Sequence, residues 1–350
     1  MPVPRPVLLD PPPAAASVGD LQALADATSR ARGDLPAALA LATEHADAFP
    51  LPGSGETRRL WESLATVASV DLTVARTLEP HLDAEAVLTQ AGLADLWSSG
   101  TWGVYAAEGP GPRLEARDEQ GRTRLDGRKP WCSLAGSLSH ALVTAWCGPT
   151  TRGLYAVELG DPGVVVWDAP WVARGLTDVP SGPLSFSGVE ATPVGGPGWY
   201  LDRPGFAWGG IGVAAIWLGG TVGVARRLLA QAAERELDQI GQMHLGAVDA
   251  AIVTARTVLR DAAAQVDAGL AEGPAGVVLA LRCRQVVAAA AERVLERVDH
   301  ALGPAPLALE REHAARVADL RLYLRQEHAE RDQAALGRAV LAPGSATPPW

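Results

Sequence analysis

Leu125-Asp-Gly-Arg-Lys-Pro-Trp-Cys-Ser-Leu-Ala-Gly136 is the stretch on which the fold assignment of this chain turns. It lies inside a block, residues 101–203, built of short apolar runs cut by Gly, Pro and Asp. Runs at 101–107, 123–125, 141–146, 154–159, 164–167 and 184–186 have the length and punctuation of strands. Asp118-Glu-Gln-Gly121 and Asp161-Pro-Gly163 between them have the composition of tight turns. The block predicts a β-domain, a small barrel or sandwich.

Outward from that block the period changes. On the N-terminal side, residues 1–17 form a Pro-broken arm and 18–100 carry apolar residues at steps of three and four. Trp61, Leu64, Val67, Ala68, Leu72, Ala75 and Leu78 share a face up to Glu79-Pro80, where proline is expected to stop the helix. A further short helix is expected over 84–91, ended by Gly92. On the C-terminal side, Leu245, Val248, Ile252, Ala255, Leu259, Ala262 and Val266 form an apolar seam. Gly273-Pro274 and Gly303-Pro304 break the pattern, and 309–338 reads as one unbroken final helix. Residues 204–342 therefore predict a four-helix bundle, followed by a Pro/Gly/Ser tail at 343–350. The fold class is α+β: an N-terminal helical domain, a middle β-barrel or sandwich, and a C-terminal four-helix bundle.

Composition narrows the functions. A formal charge of -10 without a Lys/Arg stripe argues against nucleic acid. Hydrophobic residues at 48% with charged residues at 20% are the balance of a folded protein. Residues 206–225 (FAWGGIGVAAIWLGGTVGVA) have membrane-span length, but six glycines and the amphipathic sequence that follows favour a buried bundle helix over a membrane span. The Gly219–Gly223 spacing would let another helix approach closely. Cys132, Cys147 and Cys283 are scattered and odd in number, so neither a zinc site nor a disulfide framework is expected. The N-terminus lacks the apolar core of a signal peptide, and the cytoplasm is the expected compartment. Asp71, His81, Asp83 and His244 lack dense ligand spacing, so no metal is predicted.

The quoted stretch resembles a segment of the acyl-CoA dehydrogenase family, "L-x-G-x-K-x-W-I-T-x-(A/G)-G". Trp131 matches its aromatic position and Ser133 its hydroxyl position. Collinear with it, Trp171-Val-Ala-Arg-Gly-Leu176 resembles a "G-x-R" turn. Val189-Glu-Ala-Thr-Pro-Val-Gly195 and Gly220-Thr-Val-Gly-Val-Ala-Arg-Arg-Leu-Leu229 resemble two later family segments. The resemblance covers roughly 61–338. It implies FAD, with Trp131 beside the flavin ring and the Ser133 hydroxyl near flavin N5. It also implies cofactor contacts from Ala107 in Ala107-Glu-Gly-Pro-Gly-Pro112 and from Arg235, which the family presents to a neighbouring subunit's diphosphate. A homodimer or homotetramer follows from that sharing. Matching Asp319-Leu-Arg-Leu-Tyr323 to the family's "D-x-x-x-Y" puts Glu327 at the place of the catalytic base. The implied reaction is α,β-dehydrogenation of an acyl thioester or a related acyl group.

The chain also departs from the family. The serine of the first β-strand's loop and the phenylalanine after Arg235 are missing. The alternative glutamate position falls near Val213, with Ala214 where an arginine often follows. Glu-Gly-Thr becomes Glu327-His328-Ala329, inside what reads as continuous helix, where Glu327 could pair with Arg331 at i,i+4 on a solvent face. His328 is a competing candidate. The departures keep two alternatives open: a flavin-dependent monooxygenase of the same fold, and a degenerate non-catalytic subunit that completes a partner's flavin site.

Overall fold

The computed structural model describes residues 4–10, 16–111, 113–168 and 170–342. Residues 1–3 and 11–15 of the expected arm, and the expected 343–350 tail, lie outside the described residues. Helices come first: α1 (Ala16–Arg30), α2 (Leu35–Glu44), α3 (Thr57–Val70) and α4 (Leu72–Gln90). Strands follow: β1 (Trp102–Tyr105), β2 (Glu115–Glu119), β3 (Arg122–Ser133), β4 (His140–Trp146), β5 (Arg152–Glu158), β6 (Val164–Val166) and β7 (Ser181–Val194). The chain then returns to helix in α5 (Trp199–Asp202), α6 (Pro204–Glu234), α7 (Gln239–Asp267), α8 (Gly273–Leu302), α9 (Pro304–Leu309), α10 (Arg311–Tyr323) and α11 (Glu330–Leu341). The class is α+β, with helical N- and C-terminal parts and a middle β region. Two compact units result: Met1–Arg76 with Arg174–Leu176 and Ala207–Trp350, and Thr77–Ala173 with Thr177–Phe206.

In the β-unit the strands close on themselves. β4 pairs β2, β2 pairs β3, β3 pairs β7, β7 pairs β5, and β5 returns to β4, with β1 added on β4 and β6 on β7. Alternation sorts the faces: Ala141, Val143 and Ala145 of β4 join the interior with Leu125, Leu184 and Phe186. Leu142 points the other way, to a cluster with Leu154, Val87 and Leu88. β2 (EARDE) escaped the sequence reading because it is almost wholly exposed and carries no apolar run. It forms because Gln120 (φ 59) and Gly121 (φ 82) make a two-residue hairpin turn with β3. The Asp118 side chain accepts the Gly121 N–H at 3.0 Å.

Three expectations about helices are corrected. Pro80 does not stop its helix, and 84–91 is not a separate one: α4 runs through both. Pro80 forfeits one bond to the Arg76 carbonyl, but Ala84, Val87 and Leu88 further along are fully buried against the barrel. The face from Trp61 to Leu78 is not one helix, because Asp71 is extended (φ -154) and its carboxylate caps Val74 N–H at 3.0 Å. The final run 309–338 is also broken, into α9, α10, a 3-10 turn and α11, so the C-terminal part holds three long helices and a segmented fourth.

In the helical unit, α6 lies against α3. A Cβ on Gly219 would collide with the Ala65 carbonyl, so the glycine sets how near the two backbones come. Both α6 and α8 are long and apolar enough to cross a membrane by length and composition. Most of the apolar stretch of α6 is buried inside the protein, the setting of a core helix.

Candidate functional site

The quoted stretch forms the end of β3, and its ladder with β7 slips between Lys129 and Cys132. Pro130 has no N–H to give a partner strand, so the interruption falls where pairing is weakest anyway. The slip is a β-bulge, which turns a side chain out of its regular direction. Trp131 sits in it with φ 59, a left-handed conformation that strains a bulky residue, and its indole is 58% exposed.

Beside the bulge lies the only lysine of the chain. Lys129 is 1% exposed, with Nζ 2.6 Å from Glu108 Oε1 and 2.8 Å from Thr144 Oγ1. Burial pulls the Lys129 ammonium below its ordinary range, and Glu108 opposes that pull. Burial pushes the Glu108 carboxyl up, but the Lys129 hydrogen bond and charge, the Trp146 indole and Arg152 outweigh it and hold Glu108 low. The pair is thus kept as an ion pair. Through Glu108 the loop after β1 is tied to β3, and Gly109 packs on Pro130. Ala107 is exposed in that loop, one residue before Glu108. The apolar runs do not single out Lys129, and the signal that could have found it is its match, as the one lysine of the chain, to the lysine of the quoted family segment.

Ser133 is turned inward. Its Oγ lies 2.7 Å from Ser181 Oγ, which in turn lies 3.1 Å from the Val179 carbonyl. That carbonyl can only accept, so Ser181 donates to it and Ser133 donates to Ser181. Ser133's own carbonyl accepts from the Tyr105 hydroxyl at 2.9 Å.

In the helical unit, α10 passes into a 3-10 turn, Leu324–Gln326, and the chain then leaves the helix. Glu327 is extended (φ -85, ψ 124) and Ala329 has φ 49, ψ -119, a backbone state that disfavours a Cβ. Glu327 is 8% exposed, and its Oε2 accepts the Ala329 N–H at 2.8 Å. The expected continuous helix and its Glu327–Arg331 surface pair are thus both corrected. The break has side-chain causes that no local pattern encodes. Arg284 donates to the Gln326 carbonyl at 2.7 Å, and Asp332 accepts the His328 N–H at 3.0 Å from the first turn of α11. His328 itself is outward, its side chain 64% exposed, with Nδ1 3.3 Å from Asp332 Oδ1.

The remaining residues are placed as follows. Arg235 is exposed in the bend between α6 and α7, with no ion pair among the described residues. Val213 and Ala214 are buried in α6, so the alternative base position offers no carboxylate. Asp319 holds the "G-x-R" turn: its Oδ1 accepts the Leu176 N–H at 2.6 Å. Gly175 lies so near the Ala318 backbone that a Cβ would not fit. Among the described residues no group of three or more His, Cys, Asp or Glu side chains could hold a metal ion.

A flavin makes two demands that can be tested on these residues. Trp131 meets the first, an exposed flat apolar face, and the Glu108 loop is tied to the same strand two residues before it. Ser133 meets the second, a hydroxyl donor, only by releasing Ser181. The aromatic wall fits, and the donor is the weaker part.

Comparison with known proteins agrees with the architecture. No family model matches the sequence, and no curated protein does. Among solved structures, butyryl-CoA dehydrogenase from Megasphaera elsdenii is similar with a TM-score of 0.80 at 17% identity, over 95% of this chain and 100% of that one. FMN-bound TdsC from Paenibacillus sp. A11-2 gives 0.78 at 16% identity, over 95% and 98%. Glutaryl-coenzyme A dehydrogenase in its glutaryl-CoA complex gives 0.78 at 14% identity, over 95% and 96%. The chain has the acyl-CoA dehydrogenase fold, at low sequence identity.

Proposed function

We propose that this chain, on its acyl-CoA dehydrogenase fold, is an FAD-dependent oxidoreductase that removes the α and β hydrogens of an acyl thioester or a related acyl group. The observation that carries the reading is the helix break at Glu327, which puts a carboxylate in a buried position with one oxygen still uncommitted. A carboxylate on a regular helix face would be solvated and a poor base, whereas a positioned one contributes roughly 10²–10⁴-fold. Glu327 Oε2 is occupied by the Ala329 N–H, so Oε1 is the atom that takes the α-proton. The flavin, when bound, supplies the acceptor for the β-hydride. Trp131 would lie against its ring, the Ala107 loop would line its polar edge, and Ser133 would donate after turning from Ser181. Arg235, free on its turn, suits a diphosphate oxygen of a second copy's cofactor, and a cytoplasmic homo-oligomer is part of this reading. The missing substrate arginine argues against an ordinary fatty acyl-CoA.

One observation favours a second reading. His328 is outward and oriented through Nδ1 by Asp332, which leaves Nε2 for proton transfer. That arrangement suits a flavin monooxygenase of the same fold, and the FMN-bound neighbour is about as similar in structure as the dehydrogenases.

The visible spectrum of the purified protein separates the readings. Oxidised-flavin bands bleached anaerobically by an acyl-CoA are the result expected for the dehydrogenase. Flavin reduced only by an external reductase, followed by oxygen consumption, replaces it with the monooxygenase. A colourless protein that cannot be reconstituted with FAD or FMN overturns both and leaves the non-catalytic subunit.

A further inference from the structure

We infer that Arg284, on α8, is the positioning residue of the Glu327 carboxylate: it fixes the backbone from which the proposed base projects. This rests on the reading of Glu327 as base, but its geometry stands on its own. The Arg284 guanidinium spans two elements, donating to the Gly210 carbonyl of α6 at 3.0 Å and to the Gln326 carbonyl at 2.7 Å. The Gln326 carbonyl belongs to the peptide unit that leads into Glu327. Helix ends leave such carbonyls without partners, and one without a partner lets the terminal turn fray. By holding it, Arg284 sets the plane of the Gln326–Glu327 peptide and hence the direction in which the side chain leaves.

The anchor is itself rigid. The guanidinium lies over the indole of Trp217, 4.6 Å from the ring centre, and Trp217 is fully buried. The Tyr323 ring, at the end of α10, meets that indole edge-on at 6.4 Å. α6, α8 and the α10 terminus thus converge on one planar cation. A lysine does not replace it fully, because an ammonium lacks the fixed planar fork with which Nη1 and Nη2 reach carbonyls of two elements from over one ring. Two contacts then define the carboxylate: Arg284 holds its backbone, and the Ala329 N–H holds Oε2. Arg284 touches no reacting atom in this scheme and acts through Glu327.

The test uses the full chain and three variants, Arg284→Met, Arg284→Lys and Arg284→Ala, the last with and without added guanidinium ion at millimolar concentration. Amide hydrogen exchange of peptides covering 324–332 needs no flavin and reads the break directly. The expected result for Arg284→Met is exchange at 327–329 faster by about tenfold or more, with α6 and α8 peptides close to wild type. Guanidinium should restore much of the protection in Arg284→Ala. Arg284→Lys, which keeps the charge, should recover it only in part, and it serves as the test if Arg284→Met does not fold. In flavin-loaded protein kcat should fall with KM little changed, and the isotope effect with α-deuterated acyl substrate should rise.

Unchanged exchange at 327–329, or a rise spread equally over α6 and α8, overturns the inference. Loosened exchange with unaltered kcat and isotope effect upholds Arg284 as the strut and removes Glu327 as the base.

Discussion

The β-bulge at Trp131 and the helix break at Glu327 solve opposite problems with the same device. Each interrupts a regular element, and each holds a non-glycine residue at positive φ, Trp131 at 59 and Ala329 at 49. Each also leans on a cation fixed by packing, Lys129 for the loop beside the bulge and Arg284 for the break. They differ in where the chemical group goes. The bulge turns an indole outward, as the proposed wall for a flat ring requires, and the break withdraws a carboxylate from water. Strain at both points is what an exposed apolar ring and a buried acid require of the backbone, and neither is what the local sequence prefers.

The largest expected effect tests the buried half. Glu327→Gln keeps an oxygen for the Ala329 N–H but cannot take a proton. Turnover should fall about 10³-fold while the melting temperature stays near wild type. Retained turnover would make the break structural and the comparison empty. Since a base is also probed by pH, the acid limit of the fold matters. Burial pulls the His81 imidazole down from its ordinary value to about 4, and its Nδ1 accepts the Trp102 N–H at 3.3 Å. The unfolded chain binds the proton more readily between about 6.5 and 4, so this stabilisation is complete above that window and lost as pH falls through it. The loss comes to at most ~3 kcal/mol. Urea unfolding at pH 7 and pH 4.5 should show it, and His81→Asn should reduce the difference between the two. Rate profiles for Glu327 are interpretable only above that window.

A smaller effect tests the exposed half. Lys129→Met keeps length and removes the charge that ties Glu108 to β3. Glu108 reaches solvent and keeps Arg152 at 3.3 Å, so the loss should be about 2 kcal/mol and not the full cost of an orphaned buried charge. Amide exchange should rise in the loop at 106–109 and not at 327–329. A rise at both would mean that the two features are not independently held.

The two halves were unequally legible in sequence. The β block, the helical flanks and the turn at Asp118-Glu-Gln-Gly121 could be read because apolar period and turn residues are local. Trp131 was singled out by the string around it, and its exposure in a bulge is what the structure adds. The break at Glu327 was invisible: its residues contain no Gly or Pro, and it is made by Arg284, forty-two positions away along the chain, and by Asp332. The same holds for α4, where proline said stop and buried Ala84, Val87 and Leu88 carried the helix on. Long-range contacts overrule local preference where the packing gain exceeds a few kcal/mol.

The smallest effect separates strain kept for geometry from strain that is incidental. At φ 49, ψ -119, Ala329 occupies a state open to glycine and costly for any residue with a Cβ. Relief of that strain in Ala329→Gly should exceed the added freedom glycine gives the unfolded chain, for a net gain of about 1 kcal/mol. A thermal melt should show it as a rise of a few degrees. If the break exists to hold the carboxylate, the Ala329 N–H must still reach Oε2, so turnover should stay at wild type or fall slightly as the loop gains freedom. Glycine at the equivalent point of the bulge, Trp131→Gly, relieves similar strain but deletes the wall itself, so it should stabilise the barrel while weakening flavin retention. A loss of stability in Ala329→Gly would mean that the positive φ at the break is not strained, and the parallel between the two interruptions would end there.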